Sequence, residues 1–392
     1  MIQQMAYGYG GNTRAIRMAI VRGGTSKGLF ILRNDLPSDE KERDKVILQL
    51  FGSPDLRQID GLGGAHILTS KVAIVGPPTH KDATVDYLFG QVAINLPGVD
   101  YAANCGNLSA AVGPFALFRG LVEPKEAMVS IRIHMVNVGR VITARFPVEG
   151  GQLKTTGDYS IDGVPGMAAR IDLDYAQLGG GILKKGLLPT GNVRDTFQIE
   201  RVGNLEASVV DAGNVGVFVR ASDLGILPGM SFQNLEEPTL TRRIEDVRAQ
   251  FAEHLGLICD RRTFDSALLC NPFLILVAPP CSYPNYLTGK NVEGESVDIV
   301  CRLQTNATWH KAYAVTGTIA TGAAARVKGS IVYEAMRSAA HNEPVVRIGH
   351  PAGVIDIKVA VSNSGNMWTL REAWVARTAR ILADGWAFLP PH

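Results

Sequence analysis

Two stretches, about half a chain apart, constrain this fold most. Cys105-Gly106-Asn107-Leu108-Ser109-Ala110-Ala111-Val112-Gly113 and Thr316-Gly317-Thr318-Ile319-Ala320-Thr321-Gly322-Ala323-Ala324 each begin polar-Gly-polar and continue in small residues. Side chains that small let a helix be enclosed on all sides, so each stretch predicts a buried helix. The pair predicts a duplicated α+β domain whose helix N-termini face one another across a cleft.

The rest of the chain fits that frame. At 392 residues it exceeds one ordinary core and predicts two domains. β-Branched runs predict strands at 17–22, 28–32, 72–75, 90–95, 129–135 and 141–146. In the second half they fall at 207–210, 215–219, 274–277, 330–333, 353–361 and 367–376. Amphipathic helices are expected at 39–51 and 241–256. Gly179-Gly180-Gly181 through Lys184-Lys185-Gly186 reads as a flexible connection. It divides the chain into 1–188 and 189–392, with 1–15 a flexible extension and the last strand free to return to the first domain.

Composition excludes several classes of function. Charged residues are 19% and hydrophobic ones 46%, the balance of a compact protein. A net charge of +2 gives no general attraction to nucleic acid or acidic membranes. The five cysteines form no C-x-x-C pair, and the nearest histidines complete no zinc spacing, so no metal site is expected. The longest apolar run, 273–278, is far short of a membrane span, and 1–17 holds no secretory apolar core. A reduced, cytoplasmic protein is expected, with a homodimer as the default assembly.

Four motifs carry chemistry. Cys105 sits where a loop becomes a helix, so backbone N–H groups and the helix dipole favour its thiolate and seat an anion; equally, it suits a small buried core residue. In Arg22-Gly23-Gly24-Thr25-Ser26-Lys27-Gly28, the Gly-Gly turn presents the hydroxyls and N–H groups of Thr25 and Ser26 to an anion. Its Ser-Lys-Gly order is not a P-loop, and Gly61-Leu62-Gly63-Gly64-Ala65-His66 lacks the third glycine of a dinucleotide site. Lys71 enters an apolar strand, either as a solvated end or as a base in a closed cleft. His350, in a turn with glycine on both sides, either binds a carboxylate or braces the turn. Leu188-Pro189-Thr190-Gly191-Asn192 is a weaker binding turn.

Together these segments resemble the PrpF / 3-methylitaconate Δ-isomerase family, related in fold to diaminopimelate epimerase. The resemblance rests on the motifs at 22–28, 59–64 and 69–71, Asp86-Tyr87-Leu88-Phe89-Gly90-Gln91-Val92, and those at 104–109, 188–192 and 349–353, in order over about residues 16 to 387. It implies an α+β fold of two similar domains, each a β-barrel-like sheet around a central helix, with the active site between them. It also implies cofactor-free isomerisation of small unsaturated di- or tricarboxylates: 2-methylaconitate, 3-methylitaconate or 4-oxalomesaconate. By motif, Lys71 and Cys105 match the family's proton-transfer residues. Arg22, Thr25, Ser26, Lys27, Asn104, Gly106, Asn107, Leu108, Gly317, Thr318, Gly349 and His350 match pocket-lining regions. One position departs: some members carry a second active-site lysine where this chain has Phe273, which weakens the oxalomesaconate branch.

The reaction expected is a 1,3-proton shift or a change of cis/trans geometry in such an acid, aconitate included; the shift needs a proton taken from the allylic carbon, another given at the far end, and a seat for dienolate charge. Lys71 and Cys105 supply the first two in either order. A two-thiol epimerase would need a second cysteine where Thr316 stands. A non-catalytic tricarboxylate-binding accessory protein for an iron–sulfur dehydratase would need the anion seats but neither Lys71 nor Cys105.

Overall fold

The computed structural model describes residues 3–4, 14–365 and 367–390. It divides into two units. One comprises Met1–Ser160, Gly166–Asp172 and Arg377–His392; the other comprises Ile161–Pro165 and Leu173–Ala376. No helix among the described residues is long and apolar enough to cross a membrane.

In the first unit, a hairpin joins strands Arg14–Gly23 and Ser26–Leu32. Lys71–Gly76 runs parallel to its second arm, Val85–Val92 antiparallel to that, Met128–Met135 parallel again and Arg140–Glu149 antiparallel. The final strand, Ala379–Phe388, returns to pair with Arg14–Gly23. Helix Gly106–Phe118 touches both ends of this strand order and the strands between. All its residues but Leu117 and Phe118 are buried, and glycine makes that possible: a Cβ on Gly113 would lie 2.4 Å from the Phe146 ring. The outer helix Glu40–Phe51 has ordinary ends. Asp39 caps it by accepting the Glu42 amide at 3.0 Å, and Gly52 ends it at φ 70°.

The second unit repeats the order. Gly203–Ala212 and Asn214–Arg220 form the hairpin, Phe273–Ala278 is parallel, Ile299–Thr305 antiparallel, Val345–His350 parallel and Gly353–Ser364 antiparallel. Helix Val315–Ala324 is buried along its whole length, and helix Pro238–His254 packs its Ile244, Val247 and Phe251 on the other side of the sheet, in a cluster with Leu274 and Leu276.

Several expectations are corrected. Residues 179–188 are no linker, and the division falls near 160–173 instead of 188. The buried Asp211 carboxylate accepts the amides of Ile182 and Leu183, while its own amide donates to Leu187 O. Those bonds stitch the glycine run to strand Gly203–Ala212. Arg14 and Ala15 are already in a strand, paired with Gln4 and Gln3; residues 1–2 and 5–13 of the expected extension lie outside the described residues. The expected strand at 330–333 is the start of helix Ile331–Ala335, because Ser330 Oγ accepts the Tyr333 amide and caps it. The pairing of the two buried helices shifts as well. Gly113 and Gly322 each fall eighth in their helix, so Cys105 corresponds to Ala314 and Asn107 to Thr316.

Candidate active site

The hairpin turn and the buried helix of the first unit hold each other in place. Gly23 and Gly24 press on the first helical turn: a Cβ on Gly23 would lie 2.5 Å from Asn107 O, and one on Gly24 2.1 Å from Asn107 Oδ1. Gly24 also has φ 51°, which a glycine adopts freely. Asn107 Oδ1 accepts the Thr25 amide at 3.3 Å. Cys105 is the N-cap residue, and its Sγ accepts the Leu108 amide at 3.5 Å. Its carbonyl accepts from Ser109 N–H and from the Tyr87 hydroxyl.

Side-chain alternation sorts the turn residues. Gly23 faces the helix, and its cross-strand partner Ser26 shares that face. Ser26 Oγ and Thr25 Oγ1 are buried without a hydrogen-bond partner among the described residues. Such hydroxyls are costly to bury unless something else bonds them. Arg22 and Lys27 pair with each other on the opposite face. Arg22 Nη1 donates to Gly24 O, Thr378 O and Thr378 Oγ1, each at 3.0 Å. Burial, with Arg380 nearby, pushes its pKa down. Arg22 therefore clamps the turn to the returning C-terminal strand, and Lys27 points away from the helix.

Lys71 opens strand Lys71–Gly76 and is buried. Its Nζ donates to Gln91 Oε1 at 2.6 Å and lies 5.1 Å over the Phe89 ring. Gln91 is its cross-strand partner. The Gln91 amide is fixed because Nε2 donates to Ser70 O at 2.9 Å and Ile67 O at 3.2 Å. Gly28 makes room, since a Cβ there would lie 2.4 Å from Lys71 O and 3.1 Å from Leu108 Cδ1. Thr25, Ser26, Lys71, Asn104, Cys105, Gly106, Asn107 and Leu108 are thus gathered in one unit. Sequence reasoning gave Gln91 no role, although it lies inside a motif.

The second unit repeats this architecture without its chemistry. Gly216 pairs with Phe273, and Leu274 with Gln304, so Phe273 holds the place of Lys71 and Thr305 that of Gln91. Ala314 stands where Cys105 does and makes no side-chain cap. Thr316 Oγ1 accepts from Asn214 Nδ2 at 2.9 Å, much as Asn107 accepts from the first turn. Thr318 donates both its amide and its hydroxyl to Ala314 O, so it braces the helix start. Gly317 lets Leu303 approach, with a Cβ only 2.6 Å from Leu303 Cδ1. Gly349 and His350 end strand Val345–His350, and so lie in a strand instead of a loop. His350 Nδ1 accepts the Ala352 amide at 3.2 Å, and the ring stacks on Tyr313 at 6.2 Å. That geometry favours the bracing role for this edge of the ring. At 188–192 the polar groups bond one another, Asn192 Nδ2 donating to Asp195 at 2.6 Å. Among the described residues, no group of three or more His, Cys, Asp or Glu side chains could hold a metal.

A strand order repeated in each half, with a buried helix in each unit, makes an α+β fold. A solved hydroxyproline epimerase from Agrobacterium vitis shares it with TM-score 0.56, at 11% identity over 96% of this chain and 93% of that one. A solved methylitaconate-delta-isomerase matches with TM-score 0.78 and 41% identity, over 96% of both chains. Residues 13–390 match the model of the PrpF protein family, and the chain belongs to that family. It is 42% identical to the 3-methylitaconate isomerase of Eubacterium barkeri, over 95% of this chain and 97% of that protein. It is 36% identical to the 2-methyl-aconitate isomerase of Shewanella oneidensis, over 94% and 96%.

Proposed function

We propose that this protein is an isomerase that moves a C=C bond by one position in a small unsaturated di- or tricarboxylate. 3-Methylitaconate is the first candidate substrate and 2-methylaconitate the second. The observation that carries the reading is a buried lysine and a helix-capping cysteine in one unit, beside two buried hydroxyls that have no hydrogen-bond partner among the described residues. Phe273 in the lysine's place in the second unit argues against oxalomesaconate chemistry that uses a lysine there. The finer architecture proposed is a barrel-like sheet wound on each buried helix, supported by that helix's contacts with both ends of the first unit's strand order.

Cys105 removes the allylic proton. Its sulfur is positioned as an acceptor by the Leu108 amide, at the positive end of a helix dipole. The C–H electron pair moves into the adjacent unsaturated acid, and the charge gathers on a carboxylate oxygen. Ser26 Oγ and Thr25 Oγ1 donate to that oxygen, a contribution of about 10² to 10³ per donor in comparable sites. Lys71 delivers a proton at the far carbon. Its contacts with Gln91 Oε1 and the Phe89 ring suit an ammonium. The double bond then lies one position along; solvent takes the proton from the Cys105 sulfur and returns one to the Lys71 nitrogen, which restores both groups. This chemistry runs on the chain's own side chains, without a cofactor.

Proton NMR in D₂O separates the two roles. Lys71→Ala should stop isomerisation yet still exchange the allylic hydrogen, whereas Cys105→Ser should lose both. Full allylic exchange in folded Cys105→Ser would remove the cysteine from the scheme.

A further inference from the structure

Arg302 is a buried cation that the proposed reaction does not use. It lies in strand Ile299–Thr305 opposite Leu276, and only 7% of it is exposed. Its neighbour Leu303 faces helix Val315–Ala324 at Gly317, so Arg302 points to the other side of the sheet. A guanidinium carries five N–H donors and keeps its proton in proteins. Here Nη1 donates to Cys301 O at 2.9 Å, and the group sits 4.5 Å over the Tyr283 ring. The groups acting on it most are Tyr283, Cys301, Cys281 and Tyr313; it makes no ion pair with a carboxylate among the described residues, although Asp162 acts on Tyr283. Burial pushes the Cys281 thiol up and the Cys301 thiol up to about 12, and it raises both tyrosines, so these neighbours are neutral. A buried charge without an opposite charge is strongly disfavoured.

Arg302 also borders a cavity whose other lining side chains are apolar, including Ile226, Pro228, Met230, Leu276 and Val300. The cavity leaves about 20 Å³ for the centre of a water-sized body. That is room for about one small sphere beside the guanidinium, in a pocket that opens to solvent. Water would fit, but would leave the guanidinium charge unbalanced; a monatomic anion both fits and balances it. We propose that Arg302 and this cavity form a halide site that binds chloride and stabilises the second unit.

An anion that binds only the folded state raises the melting temperature, in equal steps per tenfold of concentration above its dissociation constant. Thermal unfolding in sodium chloride or bromide, against sodium gluconate at matched ionic strength, should show a halide-specific rise. Arg302→Met should abolish that rise and Arg302→Lys should restore part of it. Crystals grown with bromide should show an anomalous peak at the Arg302 guanidinium. Equal melting in halide and gluconate, an undiminished response in Arg302→Met, or water alone at that position in the bromide map would each overturn the proposal. Should Arg302→Met fail to fold, the bromide map on the unaltered protein decides.

Discussion

Gln91 decides how Lys71 is aimed. Both hydrogens of its amide are committed, to Ser70 O and Ile67 O, so Oε1 has one orientation and fixes Nζ. Gln91→Leu should keep the fold but lower kcat by about 100-fold with a smaller change in KM, the cost of a misplaced proton donor. Steady-state kinetics beside circular dichroism would check this. An unchanged kcat would mean that Lys71 needs no such support. At this scale the sequence was informative about residue type and weak about direction. Cys105 and Lys71 stood out as reactive groups in unusual places. Arg22 and Lys27 looked equally apt, yet strand alternation turns them from Ser26, and alternation is only useful once the turn's register is known. Gln91 was invisible because its importance comes from a partner 20 residues away.

Close approach of backbone to backbone holds the elements round the site. Gly28 stands where the hairpin arm meets the lysine strand, and a methyl there would enter van der Waals space at Lys71 O. Gly28→Ala should destabilise by about 1–3 kcal/mol, as overpacking does, and should also impair activity because Lys71 shifts. Denaturant unfolding with an activity assay measures both; wild-type values for each would show that the strand can yield. Period and capping made most elements legible, including the Asp39-capped helix. The failure at 330–333 is physical: Ser-Ile-Val-Tyr has strand propensity, but the Ser330 hydroxyl captures the Tyr333 amide and starts a helical turn. The duplicated helices were legible as a pair, but their offset was not. Matching the Gly-containing starts aligned Cys105 with Thr316, whereas packing at Gly113 and Gly322 aligns it with Ala314.

The duplication explains how one fold serves a one-sided chemistry. Both units keep the same strand order, and only the first retains an amine and a thiol at the corresponding places. Duplication was legible from the sequence, but the unit boundary was not, because the buried Asp211 turns an apparent glycine linker into packed structure. The molecule's acid stability has an identifiable contributor at Asp86, in strand Val85–Val92 opposite Gly76, the last residue of the lysine strand. Burial pushes that carboxyl up, but hydrogen bonds from Thr79, His134 and Arg33 outweigh it and hold it below the ordinary aspartate value. A depressed carboxyl contributes stability above its unfolded pKa, about 3.9, and loses that contribution as pH falls through the folded value. Asp86→Asn should therefore cost about 3 kcal/mol at pH 7, with the difference from wild type shrinking below about pH 4. Melting curves across pH would show it, and a difference that grew in acid would contradict the assignment.

The most direct test of the whole account is proton NMR of the wild-type protein with 3-methylitaconate in D₂O. Dimethylmaleate should form, with deuterium entering the new methyl group. Saturable binding of 3-methylitaconate and 2-methylaconitate, with neither isomerisation nor exchange on either, would contradict it and leave a carboxylate-binding protein.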